Sequence, residues 1–325
     1  MKIKVEMLSH TYRTYEREQG LVNSIKDLFH RNYIYKNALK NISFNIDDNE
    51  IIGIAGPNGA GKTTLLKVLS GLIKPTSGIV KVGDYVPYHK NNDFKKQIGF
   101  IMGGKSQLIW ELPALETFAL NQIIYNIPKN DYIKWRDELI ETLNVQNLVN
   151  VPIRNLSLGQ KMKMDIISSL IYHPKVLFLD EPTNGLDVVS RISLREYLKK
   201  LFKEFGITVI ITTHNIGDIE NMCDRLMIMK DGEKIYDGDV KQAVLKYSGK
   251  NLITVSVCDE LLPEQQRLLD NMHFSKVGEL KFQKSIDKET LKQDLKILSN
   301  FNIDNISIEK GTLEDALVNV FISDK

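Results

Sequence analysis

The run Gly56-Pro57-Asn58-Gly59-Ala60-Gly61-Lys62-Thr63-Thr64 follows an apolar, strand-like segment, Glu50 to Ala55, and opens an apolar-periodic helix carrying Leu65, Leu66, Val68 and Leu69. A strand that turns through glycines into a helix is the phosphate-binding form of an α/β fold, and this arrangement constrains the chain more than any other feature. Glycines let the backbone curl so that successive N–H groups point inward at a phosphate chain, and the helix N-terminus adds its positive dipole. Lys62 is expected to reach the β- and γ-phosphates of a nucleotide, and the Thr63 hydroxyl to coordinate Mg²⁺. A flexible surface loop would need neither the strand before the run nor the helix after it.

With 325 residues the chain has room for one large domain and one small one, and its charged and apolar fractions are those of an ordinary globular protein. Net charge is close to neutral, with lysine and arginine spread along the chain, so composition gives no argument for a nucleic-acid partner. Cys223 and Cys258 have neither zinc-like nor redox spacing, and free thiols in a reducing compartment are expected. Met1 to His10 lacks the apolar core of a signal peptide. No apolar stretch approaches the roughly 18 residues of a spanning helix, so any membrane role is expected to come through separate chains.

Val176-Leu177-Phe178-Leu179-Asp180-Glu181 reads as a strand buried on both faces that ends in two adjacent carboxylates. Open α/β sheets bind ligands at the carboxyl ends of their strands. Asp180 is therefore placed to hold the Mg²⁺ of a bound nucleotide, and Glu181 to polarise the attacking water as a general base. Alone, such a pair is a solvated strand end; beside a phosphate loop it reads as catalytic.

Between the two motifs lies Asn155-Leu156-Ser157-Leu158-Gly159-Gln160-Lys161, leading into a helix expected over Met162 to Tyr172. This string resembles the signature motif of ATP-binding cassette (ABC) ATPases. The Ser157 hydroxyl and the close backbone approach at Gly159 are what a helix N-terminus aimed at a γ-phosphate needs. Leu158 departs from the family's usual first glycine, while the second glycine is kept. Pro182-Thr183-Asn184-Gly185-Leu186-Asp187 is similar to the family's D-loop at the dimer interface. After a helix (Val188 to Glu204) and a β-branched strand (Ile207 to Thr212), His214 matches the switch histidine that contacts the γ-phosphate. The resemblance covers roughly residues 1 to 245.

Family members place a Mg²⁺-sensing glutamine after the strand corresponding to Ile98 to Met102. Counting back from Leu112-Pro113, that position is Gly104, and the nearest glutamine is Gln107. Either Gln107 substitutes through a shifted loop, as a ligand to nucleotide and metal, or the site works without it. The family also stacks an aromatic ring on adenine, and Tyr12 occupies the matching position, with Tyr15 as a rival.

Glu16 to Lys36 resembles an insertion, with Leu21, Val22, Ile25, Leu28 and Phe29 on one helical stripe flanked by Lys26, His30 and Arg31. The stripe either packs on its own domain or docks on a permease or membrane surface. Pro113 to Leu148 reads as helices broken at Asn126 to Asn130, inside a helical subdomain of about residues 104–172. In the family this subdomain sits against the permease's coupling helices, so the resemblance implies Leu112 to Tyr125 as the transmission surface, though its apolar residues could equally be core. Beyond Lys241 the expected order is strand (Leu252 to Val257), helix (Glu264 to Met272), strand (Gly278 to Phe282), helix (Glu289 to Leu298), strand (Ile303 to Ile308) and a last helix entered through Gly311-Thr312. Leu313, Leu317, Val320 and Phe321 share one face of that helix. This accessory α+β domain, residues 246–325, serves packing, dimerisation or regulation.

The resemblance implies a P-loop α/β cassette, with antiparallel β and helical subdomains, over residues 1–245. It also implies a homodimer in which ATP and Mg²⁺ lie between the Gly56 to Thr64 loop of one chain and Ser157, Gly159, Gln160 and Asp187 of another. Ser-Leu-Gly-Gln together with Trp110-Glu111-Leu112-Pro113 resembles a subgroup of exporter ATPases served by separate ABC-2-type permease chains, which places the protein peripherally on the cytoplasmic face of the membrane. The competing reading is a soluble ABC ATPase that remodels a ribosome, DNA or an assembly scaffold. Against it stand a single cassette, the absence of a long coiled-coil insertion and the absence of a strongly basic linker.

Overall fold

The computed structural model describes residues 1–15, 33–247, 251–286, 288–309 and 312–322. The proposed helical stripe of Leu21, Val22, Ile25, Leu28 and Phe29 lies outside the described residues, as does Gly311. The chain divides into two compact units, Met1–Val240 and Lys241–Lys325.

In the first unit β1 (Ile3–Tyr15) and β2 (Tyr33–Ile46) form an antiparallel ribbon, followed by β3 (Ile51–Ala55) and α1 (Lys62–Leu69). Next come β4 (Ser77–Val82), α2 (Asn92–Lys96), β5 (Ile98–Met102), α3 (Ala114–Ile124), α4 (Lys129–Thr142), α5 (Leu158–Leu170), β6 (Val176–Asp180), α6 (Val188–Phe205), β7 (Thr208–Thr212), α7 (Ile216–Met222), β8 (Arg225–Lys230) and β9 (Glu233–Asp239). A six-stranded sheet runs β5-β6-β7-β3-β8-β9. It is parallel except where β9 returns antiparallel to β8. A second, antiparallel sheet runs β2-β1-β4.

The apolar pattern explains the layers. Every residue of β6 and of β7 is buried, as a strand covered on both faces requires. One core cluster joins Val5 and Phe44 of the antiparallel sheet to Leu65 and Leu66 of α1 and to Ile54, Phe178 and Met227 of the parallel sheet. Register then fixes the working edge: Asp180 lies opposite both Met102 and Thr212, so β5, β6 and β7 end level. The signature helix starts four residues earlier than its apolar run suggested. Ser157 is its N-cap, and the Ser157–Gln160 capping box, with Ser157 N–H donating to Gln160 Oε1 at 2.9 Å, pulls Leu158 to Lys161 into the first turn.

The second unit begins within α8 (Val240–Tyr247) and continues as β10 (Asn251–Val257), α9 (Pro263–Asn271), β11 (Ser275–Gly278), β12 (Lys281–Ile286), α10 (Lys288–Leu298), β13 (Ile303–Glu309) and α11 (Leu313–Ile322). Its antiparallel sheet runs β11-β12-β10-β13, a split β-α-β-β-α-β arrangement. The single strand expected over Gly278 to Phe282 is in fact a hairpin. Gly278 pairs with Lys281, leaving Glu279-Leu280 as a two-residue turn, and that dipeptide carries none of the Asn-Gly chemistry by which such turns are recognised. Ile253, Val255, Phe282 and Ile286 pack with Leu269 and Leu298 as its core.

Candidate functional site

At the carboxyl edge of the parallel sheet a pocket of about 210 Å³ is lined, among the described residues, by Tyr12, Lys36, Ala38, the loop Asn58 to Thr64, and Glu181. The loop holds its shape because two glycines sit where a side chain cannot. A Cβ at Gly56 would meet the Met229 carbonyl oxygen at 2.4 Å, and one at Gly61, whose φ is 103°, would meet that of Ala38 at 2.5 Å. Gly61 caps α1, so the free N–H groups of the helix's first turn face the pocket.

Lys62 is buried, and its ammonium donates to the carbonyls of Gly56 at 2.7 Å and Pro57 at 3.1 Å. Burial lowers its pKa, and the carboxylates of Glu181 and Asp180 oppose that shift. Thr63 Oγ1 donates to Asp180 Oδ1 at 3.0 Å, and Thr212 Oγ1 donates to the same oxygen at 2.6 Å. The hydroxyl and carboxylate oxygens of Thr63 and Asp180, side by side at the phosphate loop, form the hard oxygen pair that suits Mg²⁺ with a nucleotide.

Glu181 follows β6 with a φ of 52°, a left-handed conformation that a non-glycine residue adopts at a cost of about 1–3 kcal/mol. Its N–H donates to the Thr212 carbonyl at 2.9 Å, which holds it there. Asn184 Nδ2 donates to Glu181 Oε2 at 3.2 Å, and His214 Nδ1 lies 3.4 Å from the same oxygen. Glu181, which lines the pocket, and His214, which is not among the lining residues, thus form a dyad, although the sequence separates them by a helix and a strand.

Tyr12 lines the pocket with its hydroxyl hydrogen-bonded to Thr64 Oγ1 at 3.2 Å, and its ring meets His10 edge-on at 4.6 Å. Tyr15, the rival, is three residues farther along β1, and the pocket lining does not include it. Gln107 is not brought to the pocket either. Its side-chain amide donates to the Phe100 carbonyl, and its N–H donates to Asp165 Oδ1 at 2.9 Å. The loop is folded onto β5 and α5, while Gly104 stands at φ 75° with open space around it.

Ser157, Gly159, Gln160 and Asp187 also lie away from the chain's own phosphate pocket. Gly159 packs so closely on Ser190 that a Cβ there would meet its Oγ at 3.2 Å. Ser190 in turn donates to Asp187 from its N–H at 2.9 Å and from its hydroxyl at 2.6 Å. Those bonds hold the Asp187 carboxyl below its usual range. The signature and D-loop segments therefore form one surface, with Leu158, Val188 and Val189 exposed beside it.

Several groups at this edge make contacts that no motif announced. Lys36 and Ala38 reach the pocket because β2 pairs with β1 in a register that sets Tyr12 against Lys36. Thr212 was visible only as a β-branched strand residue, yet it bonds Asp180. The buried Thr183, Thr213 and Asp218 meet behind the dyad.

The family model for ABC transporters matches residues 39–184. The methionine import ATP-binding protein MetN of Geobacillus kaustophilus (strain HTA426) is 34% identical over 236 residues, which is 69% of this chain and 69% of MetN. The bacitracin transport ATP-binding protein BcrA of Bacillus licheniformis is 27% identical over 290 residues, 88% of this chain and 93% of its own length. Among solved structures, a dimeric ATP-binding cassette in a post-hydrolysis state bound to ADP and Pi matches with a TM-score of 0.59 at 27% identity, covering 73% of this chain and 98% of that one.

Proposed function

The chain belongs to the ABC transporter family, as an ATP-binding subunit that hydrolyses ATP, and from that premise we propose that it powers export through separate ABC-2-type permease chains. The proposal includes a cassette of about residues 1–245, an accessory domain over 246–325, and a peripheral position on the cytoplasmic face of the membrane. Among the described residues, no helix is long and apolar enough to cross a membrane.

The loop N–H groups and Lys62 bind the phosphates, with Tyr12 stacked on adenine. Thr63 and Asp180 would hold the Mg²⁺ of the nucleotide, which would neutralise phosphate charge. Glu181 Oε2 accepts the proton of a water that attacks the γ-phosphorus; the bond to the β–γ bridging oxygen breaks, and that oxygen leaves with ADP. His214 holds that water and the γ-phosphate in line. Since Ser157, Gly159, Gln160 and Asp187 do not line their own chain's pocket, they serve the nucleotide of a second copy. Two ATP molecules then tie the copies head to tail, and hydrolysis releases them. Gln107, turned onto the Phe100 carbonyl, takes no part in the site in this conformation.

The observation that carries the transport half is the apolar face left uncovered on the helical subdomain: Trp110, Leu112, Leu120, Ile123 and Ile124 are exposed, Ile123 to 70%. Scattered exposed apolar residues are ordinary, whereas a group on one segment marks a docking surface. The match to the bacitracin transport protein BcrA covers 88% of this chain and so runs beyond Met1–Val240 into the second unit, which makes bacitracin the compound to test first. The test is to co-express the chain with its permease and substitute Ile123→Asp. The variant should leave the membrane fraction while the isolated chain keeps its ATPase activity; a variant that stays membrane-bound removes the docking assignment. In inside-out vesicles ATP should drive bacitracin, the first compound to try, into the lumen. ATP-driven release of preloaded bacitracin would make the system an importer.

A further inference from the structure

We propose that Asp218 is a positioning residue that locks the loop after Glu181 to the turn carrying His214, so that the two halves of the dyad are held by one carboxylate. The inference rests on the roles given above to Glu181 and His214. Asp218 sits in the first turn of α7 and is fully buried. Its Oδ2 accepts the Thr183 hydroxyl, two residues beyond Glu181, and the Thr213 hydroxyl at 3.0 Å, one residue before His214. Both threonines are buried, and their strands end level at Asp180 and Thr212. One oxygen therefore bridges two neighbouring loops behind the dyad.

The turn bearing His214 is bracketed twice. Thr213 Oγ1 accepts the Asn215 N–H at 2.9 Å while donating to Asp218, and Asn215 Oδ1 caps α7 by accepting the Gly217 N–H at 3.1 Å. His214 lies between these anchors with its side chain largely in solvent, so packing does not hold its ring. Its distance of 3.4 Å to Glu181 is set by the backbone on either side. Asp218 Oδ1 faces Arg195 Nε of α6 at 3.6 Å, which supplies the counter-charge that a buried carboxylate needs. The helix leaving the D-loop is thereby tied to the same centre, and a shift of the D-loop on dimer closure has a direct route to the histidine. A buried group that accepts two hydroxyls and faces one cation is a network in which removing any member loosens the others.

The experiment measures ATPase kcat and KM, fluorescent-nucleotide affinity and Tm for Thr213→Val, Thr213→Ser, Thr183→Val and Asp218→Asn, with Glu181→Gln as control. Thr183→Val removes one donor to Asp218 at nearly constant volume, and Thr213→Val removes the other together with the acceptor of the Asn215 N–H, so folded protein is expected even where Asp218→Asn fails to fold. Each valine variant should lower kcat at least tenfold with KM and nucleotide affinity within twofold of the parent, and Thr213→Ser should restore it. Parental kcat in both valine variants, loss of affinity in step with kcat, or no rescue by serine would overturn the proposal. Turnover by Glu181→Gln at the parental rate would instead overturn the dyad on which it rests.

Discussion

Replacing Asp165 by asparagine should make the protein more stable above pH 6 and leave it no more stable near pH 4. Asp165 lies on α5, is 4% exposed, and accepts the Ser106 hydroxyl at 3.0 Å and the Gln107 N–H at 2.9 Å. Burial pushes its carboxyl up from 3.8 to about 6 against the pull of those two bonds. Between those values the native protein holds a proton that the unfolded chain has lost. Stability from this group therefore falls as pH rises through the window, and the full cost is present above about pH 6. A shift of about two pH units corresponds to about 3 kcal/mol, the ceiling on what an uncharged isostere recovers. The asparagine oxygen can still accept from both donors, as a protonated Asp165 would, and the upward shift is already net of their pull. The expectation is a gain of up to about 3 kcal/mol at pH 8 that closes by pH 4. Both tryptophans, Trp110 and Trp135, lie in the Met1–Val240 unit. Urea unfolding followed by their fluorescence thus reports that unit alone and avoids a mixed transition. A stability difference that does not change between pH 4 and pH 8, or a less stable variant at pH 8, would show that burial does not hold the Asp165 carboxyl up.

Lys62→Ala removes the buried ammonium that bonds the Gly56 and Pro57 carbonyls. Losing one charge-assisted bond to phosphate, about 1.5–3 kcal/mol, should weaken ATP binding by about 10- to 150-fold in a calorimetric titration; unchanged affinity would count against the phosphate-loop assignment. Gln107→Ala should leave kcat within about twofold, because the side chain is spent on the Phe100 carbonyl. A large loss of steady-state turnover would mean that the loop swings to the nucleotide during the cycle.

What could be read from the sequence was local. Gly56 to Thr64 and Val176 to Glu181 declare themselves because a strand, its end and the following turn are contiguous, and the chemistry needs those residues in that order. His214 could be placed only through the resemblance to the family's switch histidine, as the last of five motifs in order, since a lone histidine at a strand end is more often structural. The clamp behind it could not: Thr183 was noted only as part of the D-loop-like segment, and Thr213 and Asp218 are unremarkable polar residues until β6 and β7 pair in register. Lys36 is likewise silent until the β1–β2 ribbon sets it opposite Tyr12. The hairpin over Ser275 to Ile286 was missed for a physical reason: its Glu279-Leu280 turn lacks a residue that favours positive φ, so the sequence offered no break. Ser157 shows the opposite case. Its hydroxyl was read as an anion contact, yet in the structure it also closes a capping box with Gln160 on its own helix.

The shared nucleotide site is tested most directly by size-exclusion chromatography of Glu181→Gln with and without ATP and Mg²⁺. Glu181→Gln should be a monomer without nucleotide and a stable dimer with it, because binding is intact and the bond that ties the copies is not cleaved. A protein that remains monomeric at saturating ATP would contradict the homodimeric sandwich, and closure would then require a permease or a different cassette chain.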